Sequence, residues 1–191
     1  MFKANTLLGD RIWAPDSANR LTRGLVLSVA GSMFIAVCAR IQVPMWPVPI
    51  TMLTFAVLFV GLVYGPRLAV ATVSLYLAQG IAGLPVFAAG SGIAYLMGPT
   101  GGYLLACLPA AFVVGTLAQR GWGTQAGRVF LAMLAGSFIF YLVGAGWLAG
   151  FVGPEKAIAA GVVPFLVGDA LKAMLAAALL PAAWSLLPRD A

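Results

Sequence analysis

Six apolar runs, each closed by charge, proline or glycine, follow one another along this chain and leave it few ways to fold. The first covers Leu21 to Ala39 and stops before Arg40 and the cluster Pro44, Pro47 and Pro49. The second runs from Ile50 to Tyr64 and ends at Gly65-Pro66-Arg67; the third begins at Leu68 and fades between Gly80 and Pro85. Gly102 to Gln119, Arg128 to Phe151 and Pro164 to Leu187 complete the set. A helix needs about 20 apolar residues to cross a bilayer. The expected fold class is therefore an all-α integral membrane protein, a six-helix bundle over residues 21–187 with tails at 1–20 and 188–191.

Composition points the same way. The chain is 62% hydrophobic and 8% charged, whereas a soluble domain carries about 25% charged residues. A soluble globular enzyme is excluded, and so is a disordered chain, which combines high charge with low hydrophobicity. The net charge of +6 is not a nucleic-acid signal, because the basic residues sit at segment ends and no aromatic platform alternates with them. Cys38 and Cys107 lie in apolar runs without a partner at metal-ligand spacing, and the sequence contains no histidine. A disulfide framework, a zinc site and a histidine-based triad lose their raw material. Both thiols read as buried and inert, and no metal or cofactor is expected.

Lysine and arginine placement sets the orientation. Six spans put both termini on one side, with Lys3, Arg11, Arg20, Arg23, Arg67, Arg120, Arg128 and Arg189; the other side holds Arg40 and Lys156. Both termini are expected in the cytoplasm, in a multi-pass protein of the inner (cytoplasmic) membrane. Basic residues precede the first apolar run as they do in a secretory signal. The rest of the chain is just as apolar and would itself hold the protein in the membrane, so the first 20 residues read as a polar tail.

Between the third and fourth runs, Leu84 to Gly101 carries no charge, is rich in glycine, and contains Pro85 and Pro99. Non-helical backbone at membrane depth is tolerated only where protein buries it or where it lines a cavity. One reading is a short interfacial hairpin. The favoured one is a lid over an outward-opening pocket, because Phe87 and Tyr95 flank the flexible Ala88-Ala89-Gly90-Ser91-Gly92.

The last run holds two charges. Asp169 and Lys172 fall one to two turns after Pro164, in the outer half of the bilayer, and their i, i+3 spacing puts them on one helical face. A lone charge at the centre of a span costs about 2.5–3.5 kcal/mol on insertion scales, and such residues are functional candidates by default. The plainer reading is an ion pair that orients the helix. The functional reading is a matched acceptor and donor, which complement a group presenting N–H beside C=O, such as an amide or ureido edge.

No G-x-x-x-x-G-K-[ST] phosphate loop is present, and Asp169 is the single carboxylate within an apolar run. A solute pocket without an engine implies that a partner supplies the energy. The first run offers a contact surface: Gly24, Ser28, Ser32 and Ala36 recur every four residues, and such stripes let helices approach closely in lipid. Packing within the chain's own bundle explains the stripe equally well.

Several runs together resemble the BioY family, the biotin-binding S components of energy-coupling-factor (ECF) transporters. They are Pro47-Val48-Pro49-Ile50-Thr51, Gly65-Pro66-Arg67, Gly83-Leu84-Pro85-Val86-Phe87, Gly98-Pro99-Thr100-Gly101-Gly102-Tyr103 and Gly168-Asp169-Ala170-Leu171-Lys172-Ala173, in order across Ile41 to Ala177. The resemblance implies a six-helix S-component fold, with biotin bound near the outer face beneath the loop between helices 3 and 4. It also implies partners: a transmembrane T component, facing the Gly24/Ser28/Ser32/Ala36 stripe, and two ATPases, which alone use ATP. Asp169 and Lys172 match the family's binding pair. Asp169 would then accept a ureido N–H and Lys172 would meet the ureido oxygen, in preference to the ligand carboxylate, which Arg40 would take. Ser91 falls where the family places a polar contact, often an asparagine. Leu53 stands where many members have glutamine, so no polar role is carried over there. Phe87, Tyr95 and Trp46 would enclose the apolar ring and valeryl chain, although Trp46 suits interfacial anchoring equally.

The expectation is thus high-affinity biotin capture, with membrane lipids around the bundle and a homo-oligomer compatible with it. An S component for another vitamin shares the same architecture. A membrane enzyme is disfavoured by the missing histidine and paired carboxylates, and a channel by the lack of polar rings on successive turns.

Overall fold

The computed structural model describes residues 7–8 and 20–186, and among these it is helical apart from one two-stranded hairpin. Most of the expected tails, with Lys3, Arg11 and Arg189 and the last residue of the sixth run, lie outside the described residues. The elements are α1 (Arg20–Arg40), β1 (Gln42–Val43), β2 (Ile50–Thr51), α2 (Leu53–Ile81), α3 (Gly92–Leu96), α4 (Gly101–Gln119), a 3-10 turn (Trp122–Thr124), α5 (Ala126–Val152), α6 (Pro154–Gly161) and α7 (Val163–Leu186). Five helices among the described residues are long and apolar enough to cross a membrane.

The sequence reading expects six spans, and the difference lies in α2. Its helical path is interrupted at Gly65, where φ is 74° and ψ 176°. Glycine reaches that region without a side-chain clash, and Pro66 opens the second arm at a position where its missing N–H costs nothing. In a straight helix Thr54 and Tyr76 would lie about 33 Å apart. Instead Thr54 and Tyr95 line one recess, Tyr95 stacks on Phe87 at 5.5 Å, and Phe87 meets Tyr76 edge-on at 5.6 Å. The chain therefore doubles back at Gly65, and the two arms, residues 53–64 and 66–81, are the expected second and third spans. Leu7 is buried against this corner.

The second run was expected to start at Ile50, but Ile50 and Thr51 pair antiparallel with Val43 and Gln42. Pro44, Pro47 and Pro49 disfavour helix in this stretch, which is strand and bend instead. The helix begins only at Leu53, whose N–H donates to the Thr51 hydroxyl at 3.2 Å. The hairpin closes one end of the bundle beside the C-terminus of α1. The opposite end is where α1 starts, α2 turns over and α4 passes to α5, and it carries Arg23, Arg67, Arg120 and Arg128.

α4 is the central strut. It packs along both arms of α2 on one side and along α5 on the other, and its Ala106, Cys107, Ala110, Ala111 and Val114 are fully buried. Small side chains here bring the helix axes close, so dispersion contact replaces the hydrophobic drive that lipid does not supply. Cys38 and Cys107 are both buried free thiols.

Candidate functional site

At the hairpin end, Val48, Leu53, Leu104, Phe140 and Phe165 wall an apolar recess, roofed by Ala88, Tyr95 and Thr100. Its lining is almost wholly apolar, with the Thr51, Thr54 and Thr100 hydroxyls and two tyrosines as the polar groups, the make-up of a small-molecule site. Tyr103 stacks on Phe165 with ring centroids 6.0 Å apart, and its hydroxyl donates to the Gly161 carbonyl at 2.7 Å. The bond spends the phenol's donor on the C-terminus of α6, leaving the ring face to the recess.

Beside the recess sits the buried pair from α7. Asp169 is 3% exposed and Lys172 is 8% exposed. The ammonium donates to Asp169 Oδ1 at 2.8 Å and to the Thr54 hydroxyl at 2.9 Å. Thr54 in turn donates to Asp169 Oδ1 at 3.2 Å, and the Tyr141 hydroxyl donates to Oδ2 at 2.6 Å. A buried ion pair survives only when further hydrogen bonds satisfy its remaining valences. Thr54 from α2 and Tyr141 from α5 do that, and Thr54 also lines the recess. One hydroxyl thus connects a buried charge pair to an apolar cavity.

The segment after α2 folds over this end through side chains that bind its backbone. Arg40 donates to the Pro85 carbonyl, Gln42 to that of Ala88 at 3.1 Å, and Tyr76 to that of Val86 at 3.3 Å. The sequence-based site residues fall into three groups. Asp169, Lys172 and Tyr95 meet at or beside the recess. Phe87 is fully buried behind Tyr95, and so supports the ring that lines the cavity. Arg40, Ser91 and Trp46 are not among the lining residues: Arg40 holds the loop, Ser91 immediately precedes α3, and Trp46 is 83% exposed. Trp46 sits on the proline-rich turn between β1 and β2 with its ring exposed, the placement that suits interfacial anchoring.

Of the two readings of the small-residue stripe, packing within the chain's own bundle accounts for its middle residues. Ser28 and Ser32 are buried within the bundle, and Gly24 and Ala36 flank them half-buried. The outward face of α1 is formed instead by Leu21, Leu25, Val29, Met33 and Val37. Small residues there let α1 settle against both arms of α2, where Tyr64 and Thr72 crowd Gly31. Sequence reasoning missed Thr54 and Tyr141. Their signal was a hydroxyl within an apolar run, which is weak because such hydroxyls often bond their own helix, as Thr72 does to the Leu68 carbonyl at 2.8 Å.

A multi-pass helical membrane protein with an apolar recess beside a buried charge pair is the class this architecture defines. The fold matches a crystal structure of an S-component for biotin from an ECF-type ABC transporter, with a TM-score of 0.77 and 26% identity over 89% of this chain and 95% of that one. A probable biotin transporter BioY from Pyrococcus horikoshii is 43% identical over 150 residues, covering 76% of this chain and 88% of the relative. The biotin transporter BioY of Thermotoga maritima is 37% identical over 161 residues, covering 81% and 92%. The BioY family model matches residues 10–189. This chain belongs to the BioY family. Its relatives are transporter proteins, not enzymes, which sets the membrane-enzyme alternative aside.

Proposed function

We propose that this protein binds biotin from the extracytoplasmic side and serves as the S component for its uptake. The observation that carries the reading is the Asp169–Lys172 pair held beside an apolar recess by Thr54. Biotin combines a ureido edge, which needs one donor and one acceptor, with an apolar bicycle and chain, which need a cavity. Asp169 accepts a ureido N–H and Lys172 donates to the ureido oxygen, while Tyr95, Tyr103 and Phe165 enclose the ring system. The acid tail then points toward the hairpin end, where Arg40 receives it and Ser91 offers a further polar contact.

The arginine-rich end of the bundle faces the cytoplasm by the positive-inside rule, and the recess opens at the other face of the cell membrane. The segment from Gly83 to Thr100 serves as its lid, held by Arg40, Gln42 and Tyr76. The likeness to an S-component of an ECF-type ABC transporter supports a T component and two ATPases as the source of energy. The exposed flank of α1, edged by Gly24 and Ala36, is the surface on which they act. ATP belongs to those partners, and this chain itself takes no cofactor.

The test is binding of labelled biotin to the detergent-solubilised chain, with mass spectrometry of the small molecules that co-purify. Biotin at one equivalent, displaced by neither thiamine nor riboflavin, supports the reading. Saturation by another vitamin overturns it.

A further inference from the structure

Counting hydrogen-bond capacity around the buried pair shows what it has left to offer. A carboxylate has about four lone-pair sites and an ammonium three protons. Three sites on Asp169 are taken, by Lys172 at 2.8 Å, Thr54 at 3.2 Å and Tyr141 at 2.6 Å. Two protons of Lys172 are taken, by Asp169 and by Thr54 at 2.9 Å. One acceptor site therefore remains on Asp169 Oδ2, and one proton remains on Lys172.

The bridging hydroxyl makes that remainder directional. Thr54 donates to the carboxylate and accepts from the ammonium, so one hydroxyl position fixes both groups and displacing it breaks both bonds at once. Tyr141 blocks one of the two lone pairs of Oδ2 and leaves a single acceptor rather than a pair.

We infer that Thr54 and Tyr141 are the specificity-determining positioning residues of this site: they reduce the ion pair to one acceptor and one donor, and so select a neutral N–H/C=O edge over a donor-only head. The inference rests on the biotin reading above. A cyclic urea fits without breaking any bond of the network. A cyclic guanidinium, of the same size and shape, brings a second donor and a positive charge against the Lys172 proton. Sites that satisfy a ligand hydrogen bond by hydrogen bond reject such isosteres strongly, because a buried group is left unpaired.

The test compares biotin with 2-iminobiotin, the guanidine analogue, by calorimetry on the full purified chain at neutral pH. The parent is expected to bind biotin far more tightly. Thr54→Val should weaken biotin about tenfold to a hundredfold, the usual scale for one hydrogen bond to a charged group, with 2-iminobiotin much less affected. Thr54→Ser, which keeps the hydroxyl, should restore affinity and discrimination together. Tyr141→Phe, which frees the second lone pair, should narrow the biotin-to-iminobiotin ratio on its own, so the test survives if the valine variant fails to fold. An unchanged ratio in both Thr54→Val and Tyr141→Phe overturns the inference, as does a serine variant that behaves like valine. Asp169→Asn separates the two levels. If it binds biotin like the parent, the site assignment itself fails; if it loses binding while the Thr54 and Tyr141 variants keep the parent's ratio, only this inference fails.

Discussion

A Cβ added to Gly80 would lie 2.0 Å from Cζ of Phe87, so the Phe87 ring occupies the notch left by the missing side chain. The ring is fully buried, meets Tyr76 edge-on and stacks on Tyr95, which faces the recess. A single-atom vacancy on α2 thus decides where the loop between the third and fourth spans comes to rest.

Gly80→Ala should expel that ring. Overpacking a buried site costs about 1–3 kcal/mol, so the thermal midpoint in detergent should fall and biotin affinity with it, because Tyr95 loses its backing. Phe87→Ala in the same background should recover stability, since the clash is gone, but not affinity. A Gly80→Ala variant with parental midpoint and affinity contradicts this account.

Breaking the ion pair should cost stability as well as binding. Removing one partner of a buried pair leaves an uncompensated charge, at about 3–5 kcal/mol. Lys172→Met alone should therefore lower the unfolding midpoint sharply. The double variant Asp169→Asn/Lys172→Met should regain much of it and still bind no biotin. Equal midpoints for the single and double variants would show that the two charges are not coupled.

Arg40 is exposed, and its guanidinium holds the Pro85 carbonyl. Arg40→Ala should leave the thermal midpoint almost unchanged and speed amide exchange around Val86 to Ala88. Hydrogen-exchange mass spectrometry reads this directly; unaltered exchange there removes Arg40 as a latch.

Gly65→Ala should destabilise the corner of α2. A φ of 74° with ψ of 176° is a conformation only glycine takes readily and costs an alanine about 1–3 kcal/mol, and its methyl would fall 2.5 Å from Leu7 Cδ1. Thermal unfolding should show a lower midpoint, and Leu7→Ala should relieve only the steric part.

Much of this fold was legible because lipid enforces simple rules. Apolar runs of fixed length, closed by Gly65-Pro66, Arg120 and Pro154, mark the helices within a few residues. The start of α2 was missed because Ile50 and Thr51 are apolar enough to extend a span, and only pairing with Gln42 and Val43 makes them strand. The Asp169–Lys172 pair stood out because charge is costly in a bilayer. Thr54 and Tyr141 did not, since a hydroxyl is cheap to bury when its own helix accepts it, and nothing in one sequence shows which hydroxyls have found a distant partner. Trp46 was ambiguous for a related reason: an aromatic side chain near a site and one anchoring at the interface look alike in sequence.

The first arm of α2 has room for only residues 53–64 before its corner, a rise of about 18 Å against a hydrocarbon slab of about 30 Å. Such a short rod cannot reach from one headgroup layer to the other, so its N-terminal tip, with Thr54, ends well inside the slab. The recess lies at that tip, with Leu53 and Thr54 among its lining and the hairpin and the loop beside it. On the proposed reading, biotin therefore makes its ureido hydrogen bonds at the depth of acyl chains, below the loop that Arg40 holds.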